Sequence, residues 1–246
     1  MKKETDLAGV KAAAKALLMT EIHKTPFSPA VVQHPFTASG FIDIPSESNG
    51  FIPADITANK ENLRKWQTVV RKAIDKADNP YHVYLMINPP YALTFLKLTA
   101  PYLSQKDFSE ILSSAWIMSE APHNDPDVSV SELVSMFQSA DPIALMEQDE
   151  YIQFKALEDT VTVYRGVTLY NAENVKALSW TLNRETAEWF AHRFDGDGKV
   201  YEAQIDKAHI LAVFNGRNEA EIIVDPQYLT ELSEVQEIDD GFMQTM

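Results

Sequence analysis

The sequence predicts an α+β protein in which a mostly helical N-terminal region, residues 1–157, precedes a mixed unit of strands and one helix, residues 158–246. Two observations predict this class. Up to about residue 157, apolar residues recur at intervals of three and four, which is typical of amphipathic helices. After residue 158, short segments alternate apolar and polar residues or are wholly apolar, which is typical of strands.

The first predicted helix covers about residues 6–23, where Leu7, Val10 and Ala14 share one face. Lys15 interrupts its apolar run, and the run is shorter than the roughly 20 apolar residues that span a bilayer. We therefore expect no membrane segment here and no membrane partner.

Prolines alternate with phenylalanines over residues 25–53. The prolines exclude a long helix, because each one lacks a backbone donor and clashes with the preceding turn. The phenylalanines indicate that this arm packs against another part of the protein.

Helices are predicted to resume with an apolar stripe that includes Leu63, Trp66 and Ile74 and ends at Asn79-Pro80. The next segment, residues 81–87, predicts a short strand. Helices then follow over residues 89–102 and 107–118, at the capping-box spacing of Ser129 and Glu132, and after Asp141-Pro142.

Strands are predicted in the second part at residues 161–165, 199–205, 209–214 and 221–224. One helix interrupts them at residues 184–193. Asn183 precedes it and is a typical N-cap residue.

The amino-acid composition excludes several classes of function. The formal net charge is −15 and the chain has no cysteine. The charge disfavours a broad nucleic-acid surface, because acidic protein repels the phosphate backbone. The absence of cysteine excludes thiolate catalysis and suits a reducing compartment, so we expect a cytoplasmic protein. The sequence contains neither a P-loop nor a dinucleotide-binding glycine fingerprint, and no metal site is expected.

Arg165 ends the strand of residues 161–165 on the same face as Val161 and Val163, and Gly166 follows it. An arginine on the apolar face of a strand is costly unless it is paired. Its planar guanidinium suits a phosphate or a planar amide. The alternative is a structural salt bridge at the end of the strand.

Two further segments carry polar groups at alternate positions. Ser179 and Thr181 place two hydroxyls on one face of an extended backbone, although Thr181 could also belong to the cap of the following helix. Glu219 and Glu221 lie about 7 Å apart on one face if the chain is extended there. Two close carboxylates suggest a functional site, and a solvated charged hairpin is the alternative.

Taken together, these segments resemble the Arg–Ser–Glu class of the ADP-ribosyltransferase fold, over about residues 160–226. That class has an arginine ending the first core strand, a Ser-x-Ser or Ser-x-Thr on the next, and a Glu-x-Glu before a later strand. The motifs match Arg165, Ser179 with Thr181, and Glu219 with Glu221. The sequence departs from the commoner Ser-Thr-Ser in having Trp180 and Thr181.

The resemblance implies a split β-sandwich of bacterial or phage type for residues 158–246, with NAD as the substrate. It also implies catalytic roles. Glu221 bonds the ribose and stabilises the developing cation, Ser179 positions Glu221, Arg165 holds the phosphate side, and Glu219 orients or deprotonates the acceptor. The residues implied to contact NAD are Arg165, Gly166, Ser179, Trp180, Thr181, Phe194 and Phe214.

The favoured function is therefore mono-ADP-ribosyl transfer from NAD to a protein acceptor. A glutamate at position 219 resembles the class members that modify arginine. Three alternatives remain open: a binding module with weak or no transfer, an NAD glycohydrolase, and transfer to nucleic acid.

Overall fold

Helices dominate residues 1–145, which form the first of the two units into which the chain divides. The computed structural model describes residues 3–46, 50–119, 125, 127–193, 197–216 and 218–235. The helices of the first unit are α1 (Leu7–Leu18), α2 (Lys60–Lys76), α3 (Pro80–Tyr84), α4 (Ala92–Thr99), α5 (Gln105–Ile117), α6 (Val130–Ser139) and α7 (Pro142–Leu145). Its strands are β1 (His23–Lys24), β2 (Val32–Gln33), β3 (Phe41–Pro45) and β4 (Phe51–Asp55).

The capping box predicted at Ser129 and Glu132 is confirmed, and two further caps are present in this unit. Asp6 caps α1, and Asn59 caps α2 by accepting a hydrogen bond from the amide of Asn62. Ser129 and Glu132 form the capping box of α6, each accepting from the backbone amide of the other. Each of these side chains satisfies an amide that has no partner within its own helix.

The predicted strand at residues 81–87 is wrong, because α3 begins there. Asn79 accepts a hydrogen bond of 2.8 Å from the amide of His82, and Pro80 occupies the first turn. Asn79-Pro80 therefore starts a helix, after α2 has already ended at Lys76. A proline at this position costs nothing, since its missing N–H would have had no helical partner.

The proline-rich arm forms two antiparallel hairpins, β1–β2 and β3–β4. Its aromatic side chains were expected to pack. Phe27, Phe41 and Phe51 are instead 73%, 57% and 69% exposed, so this expectation is wrong for these three residues.

The second unit, residues 146–246, is built on one six-stranded antiparallel sheet, which confirms the α+β class. Its elements are α8 (Gln148–Ala156), β5 (Thr160–Val167), β6 (Ser179–Thr181), α9 (Arg184–His192), β7 (Lys199–Asp206), β8 (Ile210–Phe214), β9 (Glu221–Val224) and β10 (Thr230–Glu234). The strand order is β10-β7-β5-β6-β9-β8.

The boundary between the units differs from the sequence prediction. The predicted helical region extends to residue 157, whereas the structure groups α8 with the second unit. The physical reason lies in contacts with the region around the end of β8. The amide of Val213 lies 3.4 Å from the sulfur of Met146, and the amide of Asn215 donates to Glu150.

The sheet has a weak seam in its middle. β5 pairs with β7 along eight residues, whereas β5 and β6 are joined at the single pair Tyr164–Thr181. The sheet therefore consists of two three-stranded halves, β10-β7-β5 and β6-β9-β8. The seam separates strands that carry the predicted site residues.

Among the described residues, no helix combines the length and apolar character needed to cross a bilayer.

Candidate active site

Three sequence segments that are remote from one another meet at the seam of the sheet. Arg165 follows the one residue of β5 that pairs with β6. On the other side, Thr181 of β6 lies opposite Glu221 of β9, and Ser179 lies opposite Ile223. The structure thus brings Arg165, Ser179 and Glu221 into one neighbourhood.

Ser179 and Glu221 are bonded directly. The Ser179 hydroxyl donates to Oε1 of Glu221 at 2.5 Å, and both side chains are half-buried. A hydrogen bond from a hydroxyl to a carboxylate is short and strong because the acceptor is charged. It fixes the carboxylate at one orientation on the face of the sheet.

Arg165 joins this pair through the backbone. Its Nη1 donates to the carbonyl oxygen of Ser179 at 2.5 Å. Burial lowers the pKa of Arg165 to about 10, and the carboxylate of Glu221 opposes that shift. The guanidinium therefore remains charged at neutral pH and lies within the electrostatic reach of Glu221.

One donor of Arg165 is unused. Its Nε is buried and has no hydrogen-bond partner among the described residues. A buried donor without a partner costs about 1–3 kcal/mol, and such groups deserve an explanation. The Arg165 side chain is thus anchored at Nη1, while its buried Nε has no partner.

The side chain of Thr181 holds the backbone of the other motif glutamate, Glu219. Its hydroxyl donates to the carbonyl oxygen of Glu219 at 2.6 Å and accepts from the amide of Asn183 at 3.0 Å. Asn183 in turn caps α9 by accepting from the amides of Glu185 and Thr186. Thr181 therefore does both things: it contacts the cap of α9, as the alternative prediction had it, and it also bonds to Glu219.

The geometry predicted for the two glutamates is wrong. An extended chain would have placed them on one face, but Ala220 between them has φ of 44°, in the left-handed region. Asn218 also has a positive φ, of 56°. The chain turns between Glu219 and Glu221, and β9 begins only at Glu221.

Trp180 and Phe214 are core residues, each 2% exposed. The indole Nε1 of Trp180 donates to the carbonyl oxygen of Ala177 at 2.8 Å. Their burial does not favour the predicted stacking on NAD, because neither ring is open to a ligand. Phe194, the third aromatic residue expected at the site, lies outside the described residues.

Gly166 has a packing role. A Cβ built on it would lie 2.1 Å from the carbonyl oxygen of Ala187 and 2.6 Å from the amide nitrogen of Ala191. Both atoms belong to the backbone of α9. Glycine therefore lets α9 lie directly on β5, next to Arg165. This contact accounts for Gly166 without the predicted contact to NAD.

Three residues beside the site, Glu150, Gln153 and Asn215, were not among the site residues predicted from the sequence. Glu150 and Gln153 of α8 both bind Asn215, at the start of the segment that leads to Glu219. A glutamate on a helix is normally solvated, so nothing in its local pattern indicated burial. The spacing of Glu147 and Glu150 was an available signal, because it is that of a capping box.

Comparison of the chain with protein-family models, with curated proteins and with solved structures finds no match. Within the described part of the chain, no group of three His, Asp or Glu side chains is placed to hold a metal ion.

Proposed function

We propose that the second unit is an NAD-dependent mono-ADP-ribosyltransferase that modifies a protein, with arginine as the favoured acceptor. The observation that carries the proposal is the bond between Ser179 and Glu221 beside the half-buried Arg165. Positions 165, 179 and 221 are the ones that the sequence motifs single out.

The charge and orientation of the Arg165 guanidinium fit a phosphate-bearing ligand. Its Nη1 is held by the carbonyl of Ser179, which orients the guanidinium plane, while Nε has no partner. A planar guanidinium binds phosphate oxygens through parallel N–H donors. In the proposal, this oriented guanidinium provides the positive charge that holds the pyrophosphate of NAD.

Glu221 suits the bond that breaks. NAD carries a glycosidic bond between ribose C1′ and the nicotinamide nitrogen, and its cleavage develops positive charge on the ribose. A carboxylate fixed by Ser179 places negative charge there without having to reorganise. The C1′–N bond breaks, and nicotinamide leaves as a neutral molecule with the bonding electron pair.

Transfer then needs an acceptor with a proton to lose. A guanidine nitrogen of the acceptor forms the new bond to C1′, and its proton passes to the Glu219 carboxylate. The net charge of −15 favours a basic acceptor through charge complementarity. An arginine acceptor is positively charged and therefore complements the acidic protein.

The architecture of the sheet also supports the proposal. Two three-stranded halves joined at Tyr164–Thr181 are compatible with the split β-sandwich that the motifs imply. Arg165 lies on one side of this single pair, and Ser179 and Glu221 lie on the other.

The test is incubation of the full chain with NAD labelled in the adenylate moiety and a mixture of basic proteins. We expect the label on protein and release of nicotinamide, both of which disappear in Glu221→Gln. Glu219→Gln should retain nicotinamide release and lose protein labelling. Glu158→Gln is the matched control, since Glu158 is an exposed glutamate of the same unit.

Each outcome is informative. Nicotinamide release without protein labelling would replace transfer by hydrolysis. Absence of both, with no NAD binding in calorimetry, would refute the proposal. Labelling that survives in Glu221→Gln would refute the assigned site.

A further inference from the structure

The loop between β8 and β9 is bound at both of its described ends, residues 215–216 and 218–220. At its C-terminal end, the Glu219 carbonyl accepts from Thr181, and the Ala220 carbonyl accepts from the amide of Leu182 at 3.0 Å. At its N-terminal end, Asn215 is bound by α8. These contacts restrict where the backbone can place Glu219.

Glu150 makes the central contact at the N-terminal end. It is 3% exposed, and its Oε1 accepts from the amide of Asn215 at 2.6 Å. Its Oε2 accepts from the amide of Glu147 at 2.8 Å, within the capping box of α8. One carboxylate therefore ties the first turn of α8 to the first residue of the loop.

Gln153 adds a second contact one turn further along α8. Its Oε1 accepts from the side-chain amide of Asn215 at 2.7 Å. Asn215 is thus held through its backbone by Glu150 and through its side chain by Gln153. Together these bonds fix both the position and the orientation of the residue.

Burial of Glu150 is expensive unless the position needs a carboxylate. A buried charge costs several kcal/mol, and apolar replacements of buried ionic groups are often neutral or stabilising. Both hydrogen bonds to Glu150 come from backbone amides, and one of them belongs to the loop that carries Glu219. A role in holding this loop explains the carboxylate, whereas capping alone would be served by an exposed side chain.

We propose that Glu150 is a positioning residue for the transfer step: it holds Asn215 and thereby places Glu219 beside the acceptor. This inference rests on the proposed function. Glu221 is held separately by Ser179, so loss of Glu150 should disturb Glu219 more than Glu221. The expected signature is a change in the ratio of transfer to hydrolysis.

Glu150→Ala tests this inference against Asp149→Ala, which removes an exposed carboxylate from the same turn. We expect Glu150→Ala to lower kcat for transfer about tenfold, in line with the loss of a charged hydrogen bond. The KM for NAD should change less than about twofold, and NAD hydrolysis without acceptor should fall less than transfer, since neither depends on Glu219. Asp149→Ala should match the wild-type protein.

Two milder variants keep the test decisive if Glu150→Ala is unstable. Glu150→Gln retains one oxygen that can accept from Asn215 but places an NH2 donor against the amide of Glu147, so it should restore part of the transfer. Gln153→Ala removes only the side-chain contact and should shift the ratio in the same direction by a smaller factor. A purely structural role would lower transfer, hydrolysis and thermal stability together.

Hydrogen exchange separates this inference from the proposed function. Amide exchange over residues 215–220 should accelerate in Glu150→Ala, whether or not the protein turns over NAD. A wild-type protein inactive towards NAD would refute the proposed function. An active protein in which Glu150→Ala leaves both the exchange and the transfer-to-hydrolysis ratio unchanged would refute this inference alone.

Discussion

The Ser179 hydroxyl and the Glu221 carboxylate are bonded at 2.5 Å across neighbouring strands, although the residues are 42 positions apart in the chain. The strand register explains how they meet. Trp180 lies opposite Ile222, and both are buried in the core. Because side chains alternate along a strand, this core pair directs Ser179 and Glu221 to the other face. A slip of one residue would bury the carboxylate, so core packing sets the geometry of the site.

Replacing Ser179 tests that bond. Ser179→Ala removes the only donor in that side chain, and a hydrogen bond to a charged group contributes about 1.5–3 kcal/mol. We expect kcat for NAD cleavage to fall by about tenfold or more. Ser233→Ala is the control, since Ser233 is an exposed serine of the same sheet. Equal rates in the two variants would contradict the role assigned to Ser179.

Local sequence signals predicted the elements that depend on local chemistry. The capping box at Ser129 and the cap at Asn183 were recognisable because each acts on backbone amides two or three residues away. The strand predicted at residues 81–87 failed for a related reason. Asn79-Pro80 is typical of both a helix end and a helix start; α2 already ends at Lys76, and the pair starts α3.

Features that depend on tertiary contacts could not be predicted from local sequence patterns. The motif positions 165, 179 and 221 could be identified because their spacing resembles a family, and the structure brings them together. The left-handed backbone at Ala220 could not be predicted, since alanine rarely adopts it. Glu150 was missed because its burial depends on Asn215, which is 65 residues away.

Gly166→Ala should separate α9 from β5. The added methyl group would lie 2.1 Å from the carbonyl oxygen of Ala187, and a helix backbone cannot yield as a side chain does. We expect the free energy of unfolding to fall by about 1–3 kcal/mol or more, as in other overpacked cores. Gly50→Ala is the control, because a Cβ at Gly50 meets nothing within 4 Å. Chemical denaturation of the two variants measures this difference. Equal midpoints would contradict the packing role of Gly166.

His34 should make the stability of the protein depend on pH. It is fully buried beside Trp66, and burial lowers the pKa of His34 to about 4. Its Nδ1 accepts from the amide of Phe36, so a proton at that nitrogen would also break a bond. The unfolded chain takes up the proton near pH 6.5, where the folded protein does not, and stability therefore falls as the pH is lowered.

The loss of stability caused by His34 begins near pH 6.5 and is complete near pH 4. It lowers the free energy of unfolding by about 3 kcal/mol. Urea unfolding of the wild type and of His34→Gln across this range measures it. Glutamine does not titrate, so the difference in free energy of unfolding between the two proteins should shift towards the variant as the pH falls. A difference that is independent of pH would show that His34 makes no such contribution.

Ala220 holds a strained backbone between the two glutamates. Its φ of 44° is unfavourable for any residue with a Cβ, and strain of this kind costs about 1–3 kcal/mol. Glycine adopts that conformation freely, so Ala220→Gly should stabilise the fold by up to about 1 kcal/mol. Released from this constraint, Glu219 should be placed less well. Protein labelling should fall several-fold while nicotinamide release is largely retained, because Ser179 still holds Glu221.

Glu231→Gly is the matched variant for Ala220→Gly. Glu231 also has a positive φ, of 52°, at the irregular pairing of β10 with β7, on the far side of the sheet order from β9. Relief of strain there should raise stability in the same way without changing the ratio of labelling to nicotinamide release. If both variants changed that ratio equally, the effect would come from general loosening of the sheet. If only Ala220→Gly changes it, the strained residue next to Glu221 contributes to transfer by fixing the position of Glu219.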